Sequence, residues 1–307
     1  MYIKRIARAP KADEKIFLNA ATAVALGNFD GLHKGHLALI KSIIDYAKMN
    51  DVKSCVFSFT SNVNGSPYIT SKKQREELLR SLNVDCFIMH DFTHCFKSLE
   101  PHVFFEKYII DFLAADYVVA GYNYRFGRNA EGDADLLKKL CIQHNIYVDI
   151  IPPVLYRGKP VSSTRIRGDI EAGRLDVAKA MLGREFSVLG KVIDGDKIGN
   201  KLGFPTANLN VDENHVMPPK GVYATTTYID GKSFSSVTNF GGKPTIKKSN
   251  DLIETHILEF DGDLYGKDIE VSFLKKIRNI TAYTSKLELC KQLENDKITR
   301  KQIGREK

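Results

Sequence analysis

Residues 27–36 read Gly-Asn-Phe-Asp-Gly-Leu-His-Lys-Gly-His, two imidazoles three positions apart among three glycines. Gly27, Gly31 and Gly35 let a backbone come close to a phosphate, and Asn28, Phe29 and Asp30 lie between them. His33 and His36 at a loop-helix junction are placed to donate to a triphosphate and stabilise charge at its α-phosphorus during an in-line displacement. The plainer reading is a turn with two surface histidines. A second stretch, Val161-Ser162-Ser163-Thr164-Arg165-Ile166-Arg167, sets capping hydroxyls beside two guanidiniums. Ser162, Ser163, Thr164 and Arg167 could form another jaw on the same phosphates, or an ordinary helix cap with solvated arginines. A third, from Gly195 through Gly199 and Gly203 to Pro205-Thr206-Ala207-Asn208, ends in a hydroxyl and an amide two residues apart. On an extended strand Thr206 and Asn208 face the same way, as hard oxygen ligands for Mg²⁺ carrying ATP phosphates. The alternative is a glycine loop leading to a polar strand edge. Neither glycine-rich stretch closes with the Gly-Lys-Ser/Thr of a Walker loop.

The elements that must carry these residues fall into two rhythms. Between residues 23 and 152, apolar runs at Ala23–Leu26, Val52–Phe59, Val84–Met89, Tyr117–Ala120 and Ile146–Ile151 predict five buried strands. Helical periodicity lies between them: after His36 with Leu37, Ile40, Ile44 and Ala47 on one face, then over 71–82, 100–113 and 133–144. Strands alternating with helices predict a parallel, doubly wound α/β sheet, whose ligands bind beyond the carboxyl ends of the strands, where residues 27–36 would lie. A helix over 170–182 connects the halves. From about residue 185 turn-rich strands take over: a hairpin at Asp230-Gly231, a turn over 260–266, and a small antiparallel barrel closed by a helix over 285–303 bearing Leu287, Leu289, Leu293 and Ile298. The expected domains are 1–184 and 185–307.

Composition narrows the partners. With 307 residues the chain can build two ordinary domains, and no apolar run approaches the roughly 18 residues of a membrane helix. Neither a signal peptide nor a membrane partner is expected. The five cysteines are odd in number and scattered without a C-x-x-C pair, so a disulfide framework is not expected and a cytoplasmic setting is. His90, Asp91, His94 and Cys95 read as a solvated loop and not as a zinc site. The net charge of +8 is carried by isolated lysine pairs without interleaved aromatics, which favours small polyanions such as ATP over nucleic acid. Oligomeric state is left open.

The pairing of His-x-Gly-His with Ser-Ser-Thr-x-x-Arg resembles the nucleotidyltransferases. Gly203-Phe204-Pro205-Thr206-Ala207-Asn208-Leu209, Pro219 to Ala224, Glu254 to Leu258 and Asp261 to Gly266 resemble the riboflavin kinases. Together they resemble the bacterial bifunctional riboflavin kinase/FAD synthetase family over nearly the whole chain. The resemblance implies a barrel that phosphorylates riboflavin with ATP and an N-terminal domain that adenylylates FMN with a second ATP, releasing pyrophosphate. It implies that Thr206 and Asn208 hold Mg²⁺ and phosphate, that Glu254 is the base for the ribityl hydroxyl, and that Asn123 and Arg125 of Gly121-Tyr122-Asn123-Tyr124-Arg125-Phe126-Gly127 join the nucleotide loop. Apart from the resemblance, Glu254 is one strand carboxylate among many.

Two departures stand out. Family members usually carry Thr-Phe-x-Pro-His-Pro after the second strand, where this chain has Phe57 to Pro67 with neither the prolines nor the imidazole at those places. Lys243 stands where arginine is usual. The first departure makes a chain with one surviving activity the main rival, and a non-catalytic flavin-binding regulator the second.

Overall fold

The computed structural model describes residues 1–11, 14–17, 20–62, 65–195, 203–241 and 253–303. It comprises two compact units, Met1–Tyr68 with Lys72–Ser163, and Ile69–Ser71 with Thr164–Lys307.

In the first unit, strands β1 (Tyr2–Ile6), β2 (Thr22–Leu26), β3 (Lys53–Phe59), β4 (Cys86–His90), β5 (Ala115–Gly121) and β6 (Tyr147–Ile151) form a parallel sheet in the order β1-β4-β3-β2-β5-β6. All residues of β2 and β4 are buried, because helices cover both faces. Val24, Leu26, Phe57 and Val118 pack to one side with Phe105, Tyr108 and Leu137, while Ala25, Val56 and Val119 pack to the other with Leu39, Ile40 and Ile43 of α1 (Lys34–Asn50). From β2 the chain winds outward through β3 and β4, then returns to lay β5 and β6 on the opposite side. The switch in winding direction therefore falls between β2 and β5, and opens a crevice at their carboxyl ends.

The sixth strand was not among those expected. Tyr2–Ile6 shows no unbroken apolar run because β1 is an edge strand, with Lys4 partly buried and Arg5 exposed. The helix after β2 begins at Lys34, two residues before the expected start. The helical stretch 100–113 is a short α4 (Pro101–Phe104) running into a wider π-helical segment, Phe105–Phe112. His90 is no loop residue. It ends β4 at 1% exposure, with Nδ1 2.7 Å from the Asp91 carbonyl and Nε2 3.0 Å from the Tyr108 hydroxyl. Among the described residues, no group of three or more His, Cys, Asp or Glu could hold a metal ion.

The single connecting helix expected over 170–182 is two, α6 (Ser163–Glu171) and α7 (Leu175–Leu182), broken where the chain turns at Ala172-Gly173-Arg174. In the second unit β9 (Phe186–Ile193), β10 (Ala207–Asn210), β11 (Gly221–Ile229), β12 (Lys232–Phe240), β13 (Ile253–Ile257) and β14 (Asp268–Arg278) close a barrel in the order β10-β13-β12-β11-β14-β9. The predicted Asp230-Gly231 hairpin joins β11 to β12. Inside, Thr225, Thr227, Ser236, Thr238 and Thr255 are wholly buried and bond to one another across strands, so a polar ladder sits beside Tyr223 and Phe273 without unmet hydroxyls. The closing helix α8 (Lys286–Ile303) docks by charge more than by its leucines. Leu287 and Ile298 are exposed, whereas Asp296 is buried against Arg278 at 2.9 Å and Arg300 donates to the Thr225 carbonyl at 2.7 Å. A two-residue-wide ribbon, β7 (Leu155–Tyr156) with β8 (Lys159–Pro160), completes the first unit.

Candidate active sites

The loop leaving β2 enters the crevice at the switch in winding direction. Leu26 pairs with Ala120, so Gly27 and Gly121 leave adjacent strands side by side and carry both candidate loops into the same opening. Phe29 and Leu32 hold positive φ angles of 49° and 40° while buried to 0% and 1% exposure. Bulky residues adopt that conformation only where surrounding packing imposes it, and such strain concentrates at functional sites. Here the two side chains are apolar anchors that turn the intervening backbone toward the crevice.

His33 caps α1: its Nδ1 accepts the His36 backbone N–H at 3.3 Å. An acceptor Nδ1 puts the proton of the neutral ring on Nε2, which leaves that edge as a donor. The His33 and His36 rings stack with centroids 3.7 Å apart and planes 12° from parallel. Gly35 makes room for this, since a Cβ there would come within 3.1 Å of the His33 ring. The positive end of α1 and two parallel imidazoles thus converge on one place suited to an anion.

The hydroxyl of Ser163 donates to the Asp30 carbonyl at 2.9 Å, tying the expected second jaw to this loop. Ser162 is half-buried beside it, whereas Thr164 is exposed and Arg167 buried on the following turn of α6. Asn123 and Arg125 are exposed on the loop after β5. Arg125 lies 3.7 Å from Asp133, the residue capping the next helix α5 (Ala134–Gln143), and the loop closes through Phe126 and Gly132, which exchange backbone hydrogen bonds.

Three polar residues around this loop went unnoticed in the sequence. Arg75, on α2 (Lys72–Ser81), is 2% exposed and donates from Nη1 to the carbonyls of Phe59 at 3.1 Å and Asn28 at 3.5 Å. Burial lowers its pKa from the usual guanidinium value. Ser58 also donates to the Asn28 carbonyl, at 2.7 Å, and Asn62 bonds the Asn28 side chain, also at 2.7 Å. Only Ser58 and Asn62 had a mark, their places near the end of β3; Arg75 on its helix had none.

The second constellation is assembled by register. Asn208 on β10 lies opposite Glu254 on β13, and Glu254 lies opposite Asn239 on β12. Opposed residues of antiparallel strands project to the same face, so the three form a row across the outside of the barrel, opposite the threonine ladder. Thr206, expected on the same strand, stands one residue before β10 begins at Ala207, on the turn leading into it. Asn208 is 7% exposed, and its Oδ1 is buried without a hydrogen-bond partner among the described residues, which leaves an amide oxygen available to a ligand. Gly195 fits against this amide so closely that a Cβ would fall 2.0 Å from Asn208 Nδ2.

His256, two after Glu254, holds the preceding turn. Its Nδ1 is 2.7 Å from the Pro205 carbonyl, and its ring meets Phe204 at 5.6 Å, over which Lys297 of α8 lies at 5.2 Å. Burial lowers the His256 pKa, so at neutral pH the uncharged ring donates from Nδ1 to that carbonyl. Strand periodicity of two could have flagged His256 and Asn239 once Glu254 was placed. Gly203 and Pro205 are exposed on the turn. Gly199 and Lys243 lie outside the described residues.

A protein-family model described as FAD synthetase matches residues 16–165, and one described as riboflavin kinase matches residues 182–303. The bifunctional riboflavin kinase/FMN adenylyltransferase of Buchnera aphidicola subsp. Schizaphis graminum is 34% identical over 290 residues, covering 91% of this chain and 93% of that protein. Those of Listeria monocytogenes and Escherichia coli K12 are 33% and 30% identical, covering 89% and 91% of this chain and 89% and 92% of their own lengths. A crystal structure described as a macrolide-efflux protein from Streptococcus pneumoniae matches with a TM-score of 0.86 at 29% identity, over 98% of this chain and 99% of that one. No described helix of this chain is long and apolar enough to cross a membrane.

Proposed function

Since the chain belongs to the bifunctional riboflavin kinase/FMN adenylyltransferase family, we propose that its barrel phosphorylates riboflavin to FMN and its α/β unit adenylylates FMN to FAD, each with its own ATP. We assign 1–184 to adenylylation and 185–307 to phosphorylation, a division supported by family matches that end at 165 and resume at 182. The five cysteines, all free thiols, suit a cytoplasmic setting.

The observation that carries the kinase assignment is the opposition of Asn208 and Glu254, which turns residues 46 positions apart into one face. Glu254 takes the proton from the terminal ribityl hydroxyl as that oxygen attacks the γ-phosphorus and ADP leaves. Asn208 Oδ1 and the Thr206 hydroxyl fit Mg²⁺, since both are hard oxygens two residues apart and the amide oxygen has no partner among the described residues. Bound there, the ion would neutralise charge on the ATP phosphates. His256 steadies the turn that carries Thr206.

In the α/β unit a phosphate oxygen of FMN attacks the α-phosphorus of ATP and pyrophosphate departs. His33, through Nε2–H, and His36 stabilise the charge that builds on the phosphoryl oxygens, and the start of α1 adds its backbone donors. The Asn28, Asp30 and Ser163 cluster holds the loop, with Asn123 and Arg125 at the nucleotide's other end. Segment 60–67, which lacks the usual Pro-His-Pro, is bonded into this cluster through Asn62, which favours two activities over one.

Incubating the protein with riboflavin, ATP and Mg²⁺, and separately with FMN, ATP and Mg²⁺, tests the reading. FMN and FAD are expected in the first, FAD in the second. FMN without FAD would leave a kinase alone, and tight flavin binding without either product would leave a regulator.

A further inference from the structure

Asn62 stands in the segment where this family usually has Pro-His-Pro, and its amide can sit only one way round. Nδ2 lies 3.2 Å from Asp30 Oδ2, 2.8 Å from the Ser66 carbonyl and 3.1 Å from the Pro67 carbonyl. A carboxylate and two carbonyls accept and do not donate, so the NH₂ end must face them. Oδ1 of Asn62 then faces Asn28 and, being only an acceptor, requires the NH₂ end of Asn28, found at 2.7 Å. That interaction fixes the second amide in turn. Its oxygen, Asn28 Oδ1, is directed away from Asn62, shielded from solvent and without a hydrogen-bond partner among the described residues. The backbone of the same residue is held independently, its carbonyl accepting from Ser58 and Arg75.

An unmet amide oxygen beside a phosphate loop does not suit a phosphate, whose own oxygens are acceptors. It suits an O–H or N–H. We infer that Asn62 is a positioning residue of the adenylyl site, which turns Asn28 so that its amide oxygen receives a hydroxyl or amino hydrogen of ATP. The inference rests on the proposed assignment of residues 27–36 to ATP. It also gives the altered segment a function: Asn62 sets the polarity of a neighbouring amide, which a plain loss of the family motif would not do.

The test measures FMN adenylylation by the full chain with ATP, 2′-deoxy-ATP, 3′-deoxy-ATP and N6,N6-dimethyl-ATP, with the circular dichroism and thermal melting of the same sample as the measure of correct folding. In the unsubstituted protein one analogue, the one lacking the recognised hydrogen, is expected to raise KM about tenfold, the worth of about one hydrogen bond. Asn62→Ala and Asn28→Ala should each raise KM for ATP by a similar factor, lose that discrimination, and combine in the double variant to no more than the larger single effect. If Asn62→Ala melts differently from the unsubstituted protein, Asn62→Leu takes its place, since it fills the space without an acceptor for Asn28. The inference is overturned if every analogue is used as well as ATP, or if the two single effects multiply in the double variant. Failure of the underlying assignment looks different: Asn28→Ala and His36→Ala would both leave adenylylation unchanged.

Discussion

The two sites solve the problem of holding a triphosphate in opposite ways. In the α/β unit the grip is a loop. Its anchors Phe29 and Leu32 sit in strained backbone, its histidines are neighbours in sequence, and most of what surrounds them is hydrogen bonding to main chain. In the barrel the grip is a surface. Asn208, Glu254 and Asn239 come from three strands and need only the register of a closed sheet to meet. A loop site concentrates its chemistry in a few consecutive residues and depends on packing from beneath. A register site scatters its residues and is rigid once the barrel closes.

Substitutions should separate the two. The largest effect is expected at Glu254→Gln, which removes the base and should slow FMN formation by about 10²–10⁴-fold while leaving adenylylation of supplied FMN intact. This is checked by following both products by chromatography. Next comes His36→Ala, which takes one donor from the developing charge and should lower FAD formation by about 10²–10³-fold with riboflavin phosphorylation unchanged. If either variant lost both activities, the contrast between the sites would collapse.

A smaller effect sharpens the account of the barrel. Gly195→Ala would drive a methyl group into the Asn208 amide and should raise KM for ATP in the kinase reaction about tenfold, or about 1.4 kcal/mol, with kcat less affected. Steady-state kinetics at varied ATP distinguishes the two parameters.

The smallest concerns the base of the loop site. Burial lowers the pKa of His90, so as pH falls below the ordinary value of about 6.5 the unfolded chain takes up this proton before the folded one. Stability is therefore lost on acidification from about pH 6.5 down to the lowered folded value, at no more than about 1.4 kcal/mol per pH unit. His90→Asn should flatten that part of the profile in urea melts of the whole chain, and an unchanged slope would assign the acid sensitivity elsewhere.

What could be read in the sequence follows from the same contrast. The Gly27 to His36 motif was legible because a loop site is contiguous, and the four inner strands β2 to β5 because burial leaves nearly unbroken apolar runs; β6, also expected to be buried, is an edge strand with only partly buried and exposed residues. Arg75 was not legible. It lies in a helix that reads as solvated, and its partners Phe59 and Asn28 are 16 and 47 residues away. Asn62 read as part of a missing motif because its meaning lies in three acceptors that only the folded segment gathers. In the barrel a period of two singled out Asn208, though β10 begins only after Thr206, and Glu254 needed the family resemblance, since no local pattern tells which strand will lie opposite. The docking of α8 through Asp296 and Arg300 defeats hydrophobic periodicity for a related reason: the partner Arg278 lies on β14, before the helix begins.

The central claim is that two independent sites act in sequence, with FMN free to leave the first and enter the second. Mixing the Glu254→Gln and His36→Ala proteins with riboflavin, ATP and Mg²⁺ tests it most directly. Neither variant alone should yield FAD from riboflavin, and the mixture should, because FMN made by one chain is adenylylated by the other. A mixture that accumulates FMN but never FAD, although the Glu254→Gln protein converts supplied FMN, would contradict it.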